Sequence, residues 1–210
     1  FFQFGVENFT PKSVVADTEI FILISQILTD LKIKDYKIHL NCLGGEKTKK
    51  TYADALKAYF YPNLDKLCVD CQTRVHENTL RVLDCKVCAN SDLFLKTPKV
   101  YDILPEDEKK YFDQIVKNLS KLKISAEVNH KLVRGIDYYT GLVFEVKAEF
   151  ENLGNAATIC GGGRYDNLVD DNLTIYTLFD DIEAIEKQRK IDKTLDSIRD
   201  KYGFLSVQNG

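Results

Sequence analysis

The segment LVRGIDYYTG, residues 132–141, decides how the rest of the chain is interpreted. Arg134 stands beside a glycine and close to two adjacent tyrosines, Tyr138 and Tyr139. Its guanidinium group is a fixed cationic fork that suits a phosphate or a carboxylate. Paired tyrosines on a strand point to opposite faces, so one ring can face a ligand while the other packs. A surface ion pair beside two core aromatics is the commoner arrangement for such residues, and both interpretations stay open.

Alternating sequence patterns away from this segment predict strands. Residues 142–148 and residues 36–43 each place apolar side chains at every second position, which is typical of a strand with one buried face. Residues 1–8 are rich in phenylalanine and valine and predict a further strand.

Helical spacing dominates two other parts of the chain. Residues 17–32 place apolar side chains on one helical face, and Asp17 or Thr18 could cap that helix. Residues 46–125 predict a mostly helical block, in which Pro105 and the acidic residues after it are signals of a helix start.

Composition and charge limit the classes of function. The 210 residues are 44% hydrophobic and 29% charged, as in an ordinary globular protein. With a net charge of only -3, any contact with nucleic acid must come from local basic patches. No apolar run approaches the roughly 18 residues of a membrane helix, so we expect no membrane segment. We also expect no secretory signal.

The two ends of the chain have unusual sequences. Methionine is absent and the sequence opens with Phe1, from which we infer a truncated chain. Residues 171–210 predict an atypical, charged amphipathic helical tail.

Two further groups of residues could line a ligand site. Three consecutive glycines, Gly161, Gly162 and Gly163, precede Arg164 and would let backbone approach a ligand closely, although a tight turn or bulge explains them equally. Neither a phosphate loop nor a dinucleotide fingerprint has this spacing. Gln3 and Glu7 lie four residues apart near the start of the chain, so a strand there would point both side chains to one face. A carboxamide and a carboxylate could together bind a polar ligand. Two polar residues on a solvated face are the simpler alternative.

Four of the six cysteines are arranged as a potential metal site. Cys68 and Cys71 form one C-x-x-C pair, and Cys85 and Cys88 form a second pair, with 13 residues between the two pairs. Two such pairs match a tetrahedral zinc site, with a spacer slightly shorter than usual. Four reduced thiols in a loop are the alternative, and His76 could replace one ligand.

Six segments, taken in order, resemble successive landmarks of histidyl-tRNA synthetases. They are QFGVE at 3–7, ADTE at 16–19, NCLG at 41–44, LRVLDCK at 80–86, LVRGIDYYTG at 132–141 and GGGRYD at 161–166. The resemblance covers about residues 1–169, and the arginine–tyrosine–tyrosine segment is close to diagnostic of the family.

The resemblance implies an α+β fold of the class II synthetase type, an antiparallel sheet flanked by helices with an inserted, mostly helical domain. Residues 1–45 and 126–170 would form part of the catalytic core, and residues 46–125 the insertion, which in the family approaches the tRNA acceptor stem. The intact family member would be a cytoplasmic homodimer.

The resemblance also implies a reaction and a set of contacts. Histidine would attack the α-phosphate of ATP, supplied with Mg²⁺, and the histidyl group would then pass to tRNA(His). Arg134 would be the catalytic residue and would contact the α-phosphate and the carboxylate of histidine. Glu7 would hold the ammonium group, and Gln3 and Tyr138 would contact histidine with Tyr139 adjoining. The three glycines would form the pocket floor, with Arg164 nearby.

Departures from the family pattern leave two alternatives open. The first class motif, the arginine of the second and the expected segment after Asp166 are not found, so we expect weak or no adenylation by this chain alone. The alternatives are an inactive, histidine-binding regulatory protein and a zinc-knuckle module that binds RNA. The helical block at 46–125 favours the enzyme, because the regulatory paralogues lack it.

Overall fold

The helices and strands come from a computed structural model, which describes residues 3–9, 11–134, 138–150 and 157–166. All of these lie in the first of two compact units, residues 1–168. Six α-helices occur in this part of the chain: α1 Val14–Asp30, α2 Glu46–Phe60, α3 Val69–Glu77, α4 Asp92–Leu95, α5 Val100–Ile103 and α6 Glu106–Lys121. Two 3-10 helices span Tyr61–Lys66 and Thr79–Asp84. The strands are β1 Tyr36–Cys42, β2 Ala126–Val128, β3 Thr140–Ala148 and β4 Ala157–Arg164.

The strands form one mixed sheet in the order β2-β1-β3-β4. β3 pairs antiparallel with both of its neighbours, whereas the three-residue strand β2 pairs parallel with β1. A parallel pair needs a long crossover connection, and here that connection contains every helix from α2 to α6. The α+β class with a sheet flanked by helices and a mostly helical insertion is confirmed; the parallel edge strand was not predicted.

One face of the sheet packs against α1 and α6. Phe21 of α1 meets Phe144 of β3 edge to face, with ring centroids 5.1 Å apart. Phe112 and Ile115 of α6 belong to the same buried cluster. Helix α6 therefore lies in the layer that covers the sheet, although its sequence falls inside the predicted insertion; the domain boundaries at 46 and 125 stay a prediction.

The other face of β3 belongs to a second buried cluster. Val143 packs there with α2 residues such as Tyr52 and Phe60 and with the four cysteines of the C-x-x-C pairs. Because neighbouring strand residues point to opposite faces, Phe144 joins the α1–α6 side and Val143 joins the insertion side. β3 thus connects the two clusters.

Two predictions about the N-terminal part of the chain are wrong. Residues 3–9 are exposed throughout and form no strand, because no described strand pairs with them. Helix α1 begins at Val14 rather than at Asp17, and the side chain of Ser13 caps it by accepting a hydrogen bond from the Val15 amide. Asp17 is buried inside the helix instead.

The remaining predicted elements have different outcomes. The strands predicted at 36–43 and 142–148 and the helix after Pro105 are confirmed. The predicted tail at 171–210 lies outside the described residues. Among the helices of the described part, none combines the length and apolarity that crossing a membrane requires.

Candidate functional site

Arg134 lies across the insertion-side face of the sheet, directly above two paired strand residues. Its Nη1 atom donates a 2.7 Å hydrogen bond to Oε1 of Glu145 on β3. Glu145 pairs in register with Gly161 of β4. A Cβ atom added at Gly161 would come within 2.7–2.9 Å of three guanidinium atoms of Arg134. The missing side chain at Gly161 is therefore what leaves room for Arg134.

Neighbouring glycines of β4 contact groups on different faces of the sheet. A Cβ atom at Gly163 would meet the Tyr139 ring at 2.9 Å, on the side of Arg134. At Gly162 it would meet the Phe144 ring at 2.8 Å, on the side of α1 and α6. Of the predicted pocket floor, Gly161 and Gly163 face Arg134 and Tyr139, whereas Gly162 does not, because side-chain directions alternate along a strand.

Arg164, which was expected near the pocket, also points to the helical side. It bonds to Asp17 of α1 and to Asp166, and both partners lie within 2.6 Å of its guanidinium nitrogens. Asp17 also accepts a 2.8 Å hydrogen bond from Tyr111 of α6. Burial acts to raise the pKa of Asp166, but the hydrogen bond and charge of Arg164 prevail and lower it below its ordinary value of 3.8. Arg164 thus ties β4 to α1, and its position is corrected from pocket to packing interface.

The two adjacent tyrosines have different environments. Tyr139 is buried, and burial raises the pKa of its hydroxyl. Tyr138 is 44% exposed, and its ring lies 5.2 Å from that of Tyr139 and 6.0 Å from that of Tyr165. Lys49 of α2 donates a 3.0 Å hydrogen bond to the Tyr139 carbonyl. The exposed ring and the buried ring thus form one aromatic wall beside Arg134.

A cavity of about 280 Å³ opens between this wall and the insertion. Arg134 and Tyr139 line its sheet side, while Lys49, Lys50 and Arg81 line its insertion side. Glu46 is also in the lining and lies 2.6 Å from the ammonium group of Lys49. Four of these six side chains are cationic, so the cavity suits an anionic ligand.

The predicted residues near the start of the chain lie apart from any regular element. Gln3 and Glu7 are both exposed. Glu7 is close enough for its charge to contribute to the raised pKa of Tyr139, after burial and the neighbouring Tyr138. The structure thus brings Glu7 near the aromatic wall, while it places Gln3 in an exposed segment without strand partners.

The four cysteines of the C-x-x-C pairs come together, as the spacing predicted. Their sulfur atoms all lie within 4.8 Å of one another, and Cys71, Cys85 and Cys88 are buried. The Cys88 amide donates to the sulfur of Cys85, and the Cys68 amide donates to the sulfur of Cys88. Burial opposes ionisation, yet such amide bonds lower the pKa of Cys85 to about 7. Four sulfur donors at this separation could hold one tetrahedral metal ion. His76 instead packs its ring against Tyr61.

Sequence reasoning gave no role at this site to Glu145, Lys49, Lys50 or Arg81. Glu145, which holds Arg134, could have been found, since it is the only carboxylate within the otherwise largely apolar residues 140–148. Lys49 and Arg81 carried no such signal, because the insertion contains many similar cations. Only the folding of the insertion onto the sheet brings these two to the cavity.

Comparison with known proteins gives a consistent family. Residues 1–172 match the family model described as histidyl-tRNA synthetase. A histidine–tRNA ligase of Bacillus subtilis is 34% identical over 207 residues, which covers 93% of this chain and 49% of that protein. One of Lactobacillus gasseri is 42% identical over 172 residues, covering 81% of this chain and 40% of that protein.

A solved structure agrees with the sequence relatives. The apo histidyl-tRNA synthetase of S. aureus superposes with a TM-score of 0.56 at 32% identity, covering 74% of this chain and 37% of that one. The chain thus spans less than half the length of these relatives.

Proposed function

We propose that the cavity beside Arg134 is where histidine is activated by ATP, since the chain belongs to the histidyl-tRNA synthetase family. The carboxylate of histidine attacks the α-phosphate of ATP, pyrophosphate leaves, and histidyl-adenylate forms. The histidyl group then passes to the 3′ end of tRNA(His). One observation carries the proposal: a guanidinium group is fixed on the sheet at the edge of a cationic cavity.

Arg134 has the properties of a group that stabilises negative charge in a transition state. Glu145 occupies Nη1, and the Nε–H group is buried with no acceptor among the described residues. A buried donor without a partner costs about 1–3 kcal/mol. An α-phosphate or carboxylate oxygen would remove that cost, and a preorganised cation of this kind supplies the large electrostatic contribution to catalysis.

The proposal also gives roles to the remaining predicted residues. Tyr139 forms the buried wall, and Tyr138 offers an exposed hydroxyl-bearing ring to histidine. Gly161 and Gly163 leave room for the guanidinium of Arg134 and the ring of Tyr139 to lie against β4. We assign the ammonium group of histidine to Glu7, whose charge acts on Tyr139. Gln3 completes the amino-acid contacts once residues 3–9 close over the cavity.

The cations on the insertion side suit the other substrates. Lys50 and Arg81 face the cavity from α2 and from the 3-10 helix at Thr79–Asp84. They are placed to bind phosphate groups of ATP, whose charge Mg²⁺ partly neutralises, or of the tRNA acceptor end. As part of the intact ligase, the chain would act in the cytoplasm as one half of a homodimer.

The insertion itself includes a structural zinc ion in this proposal. The ligands are Cys68, Cys71, Cys85 and Cys88, whose sulfurs already lie within 4.8 Å of one another. A site with four thiolates is closed to substrate and therefore structural rather than catalytic.

Substitution of Arg134 tests the proposal and is made in the full polypeptide that the gene encodes. We expect Arg134→Ala to lower histidine-dependent ATP–pyrophosphate exchange by about 100-fold or more, with folding intact. Lys37→Ala is the matched control, because Lys37 also pairs with a glutamate across two strands, at 3.1 Å from Glu127, but is half exposed. An unchanged exchange rate in Arg134→Ala would remove Arg134 from the site.

Other outcomes separate the alternatives. Histidine binding by the unsubstituted protein without any exchange would identify an inactive regulatory protein instead of a ligase. Strong RNA binding that survives Arg134→Ala and is lost with the cysteines, without histidine binding, would favour the zinc-knuckle module.

A further inference from the structure

We propose that the metal bound by the four cysteines is a clamp on the segment 72–84, and that its occupancy fixes the insertion-side wall of the Arg134 cavity. This inference rests on the zinc site proposed above. It concerns what the site controls, since the ion itself is closed to substrate.

The geometry of the four sulfurs fits a metal clamp. Zn–S bonds of about 2.3 Å in a tetrahedron separate the sulfurs by about 3.8 Å. The sulfurs of Cys68 and Cys85, one from each pair, lie 3.6 Å apart. The amide-to-sulfur bonds from Cys68 to Cys88, at 3.4 Å, and from Cys88 to Cys85, at 3.5 Å, orient two of the four side chains, those of Cys88 and Cys85. Little movement is needed for the cluster to close around one ion.

The same four residues hold the two ends of one chain segment. Cys68 and Cys71 lie at the start of α3, and Cys85 immediately follows the 3-10 helix at Thr79–Asp84. An ion that joins the two pairs therefore joins the two ends of the segment 72–84. Binding releases the thiol protons, because the ligands are thiolates.

The middle of the clamped segment forms the cavity wall. Asn78, Leu80 and Arg81 all line the cavity, opposite Arg134 and Tyr139. Asn78 is the residue that ends α3, and the segment turns there into the 3-10 helix. The wall thus consists of the turn between two short helices.

Local hydrogen bonds hold that turn within the segment: the Asn78 amide donates to the Arg74 carbonyl at 2.9 Å, and the Arg81 amide donates to the Asn78 carbonyl at 3.0 Å. Thr79 donates a 3.0 Å hydrogen bond to the Val75 carbonyl, and Arg74 donates one of 3.3 Å to the Arg81 carbonyl. Helix α3 has only nine residues, and helices of that length are marginal unless tertiary contacts hold them. Val75 and Val82 anchor the segment in the insertion-side cluster, but both lie on its inner side. Loss of the ion would free the ends and loosen the wall first.

Hydrogen–deuterium exchange of the whole chain, read with its metal content, tests the inference. The purified protein is measured with free Zn²⁺ held at about 100 times its dissociation constant, and again after removal of zinc by a chelator. Bound at 100 times its dissociation constant, zinc lowers the population of the open segment by about 100-fold, so the amides of residues 78–81 should exchange about 100-fold faster without it. The amides of α6 around Ile115, in the other buried cluster, are the internal reference and should change little.

Cysteine variants provide an independent arm. Cys85→Ser combined with Cys88→Ser should abolish zinc binding and reproduce the fast exchange of the wall. Cys160→Ala is the matched control, because Cys160 is partly buried on β4 outside the four-cysteine cluster; it should retain one zinc per chain.

The outcomes distinguish the clamp from the zinc site. If the chain takes up no zinc from solution, the site and the clamp both fail. If zinc binds but its removal leaves the exchange of residues 78–81 unchanged, the site stands and the clamp is overturned. If removal of zinc accelerates amide exchange in α6 as much as in residues 78–81, zinc stabilises the fold in general and the selective clamp is again overturned.

Discussion

Replacing Gly161 with alanine should damage the site without damaging the fold. The added methyl group would lie 2.7–2.9 Å from three guanidinium atoms of Arg134, whereas ordinary contacts begin at 3.4 Å. The guanidinium must therefore move by about 0.5–0.7 Å, since compressed contacts of this kind are strongly repulsive. The moving atoms are the far end of a flexible side chain, so the backbone of β4 can stay in place.

The displacement sets the expected loss of activity. A misplacement of about 1 Å in a catalytic group can cost about 100-fold in rate, and a somewhat smaller one here should cost about 10- to 100-fold. Stability should change little, because the lower entropy of an unfolded chain with alanine stabilises the fold by about 0.4–1 kcal/mol and offsets the small strain. The measurements are histidine-dependent ATP–pyrophosphate exchange and thermal unfolding of the same Gly161→Ala preparation, made in the full polypeptide that the gene encodes.

Gly162→Ala is the contrasting variant, one residue away on the opposite face. Its methyl group would lie 2.8 Å from the ring of Phe144 inside the α1–α6 cluster. Overpacking of a core of this kind costs about 1–3 kcal/mol, so Gly162→Ala should unfold at a lower temperature. The reasoning is refuted if Gly161→Ala keeps full exchange activity. It is also refuted if both variants lose the same amount of stability and their loss of activity follows that loss of stability.

Two further predictions concern the ion pairs of the sheet. Glu145→Gln should lower kcat by about 10-fold with a smaller change in the KM for histidine, because Arg134 keeps its place but loses the charge that orients it; Glu127→Gln, on β2, is the control, and an equal effect of both would contradict a positioning role. Asp166→Asn should destabilise the fold by about 1 kcal/mol at neutral pH, the upper end for a partly exposed pair. Because the pKa of Asp166 is depressed in the folded state, that difference should be full above 3.8 and shrink as pH falls through the folded value. Urea unfolding of both proteins at several values between about pH 7 and about pH 3 measures this difference in stability. A difference that is constant over this range would exclude the ion pair as its source.

The parts of the fold that sequence patterns predicted are those in which one face is buried. β1 and α6 have clear periodicity because each packs a single face against a core, so the polar and apolar positions alternate at the period of the element. Residues 3–9 contain the phenylalanines and valine of a strand, but composition cannot show whether a neighbouring strand is available to pair with them. β2 is only three residues long and carries no period.

The candidate site was harder to predict than the fold because it depends on contacts between distant residues. LVRGIDYYTG identified Arg134 from local chemistry, whereas its partner is Glu145, 11 residues further along the chain. Whether Arg164 faces the pocket depends on strand direction and register, and one position of error reverses the answer. The four cysteines came together as predicted because a paired motif of this kind specifies its own local geometry.

The run of three glycines in β4 is explained by groups that pack closely against both faces of this strand. A strand residue presents its side chain to only one face, so a site on one face alone would require glycine at every second position. The guanidinium of Arg134 excludes a side chain at Gly161, and the Tyr139 ring and the Leu142 carbonyl exclude one at Gly163. The ring of Phe144 crosses under the strand from the other side and excludes one at Gly162. The intermediate glycine thus serves the core and the outer two serve the site, so the sheet is thin where Arg134 must lie close to it.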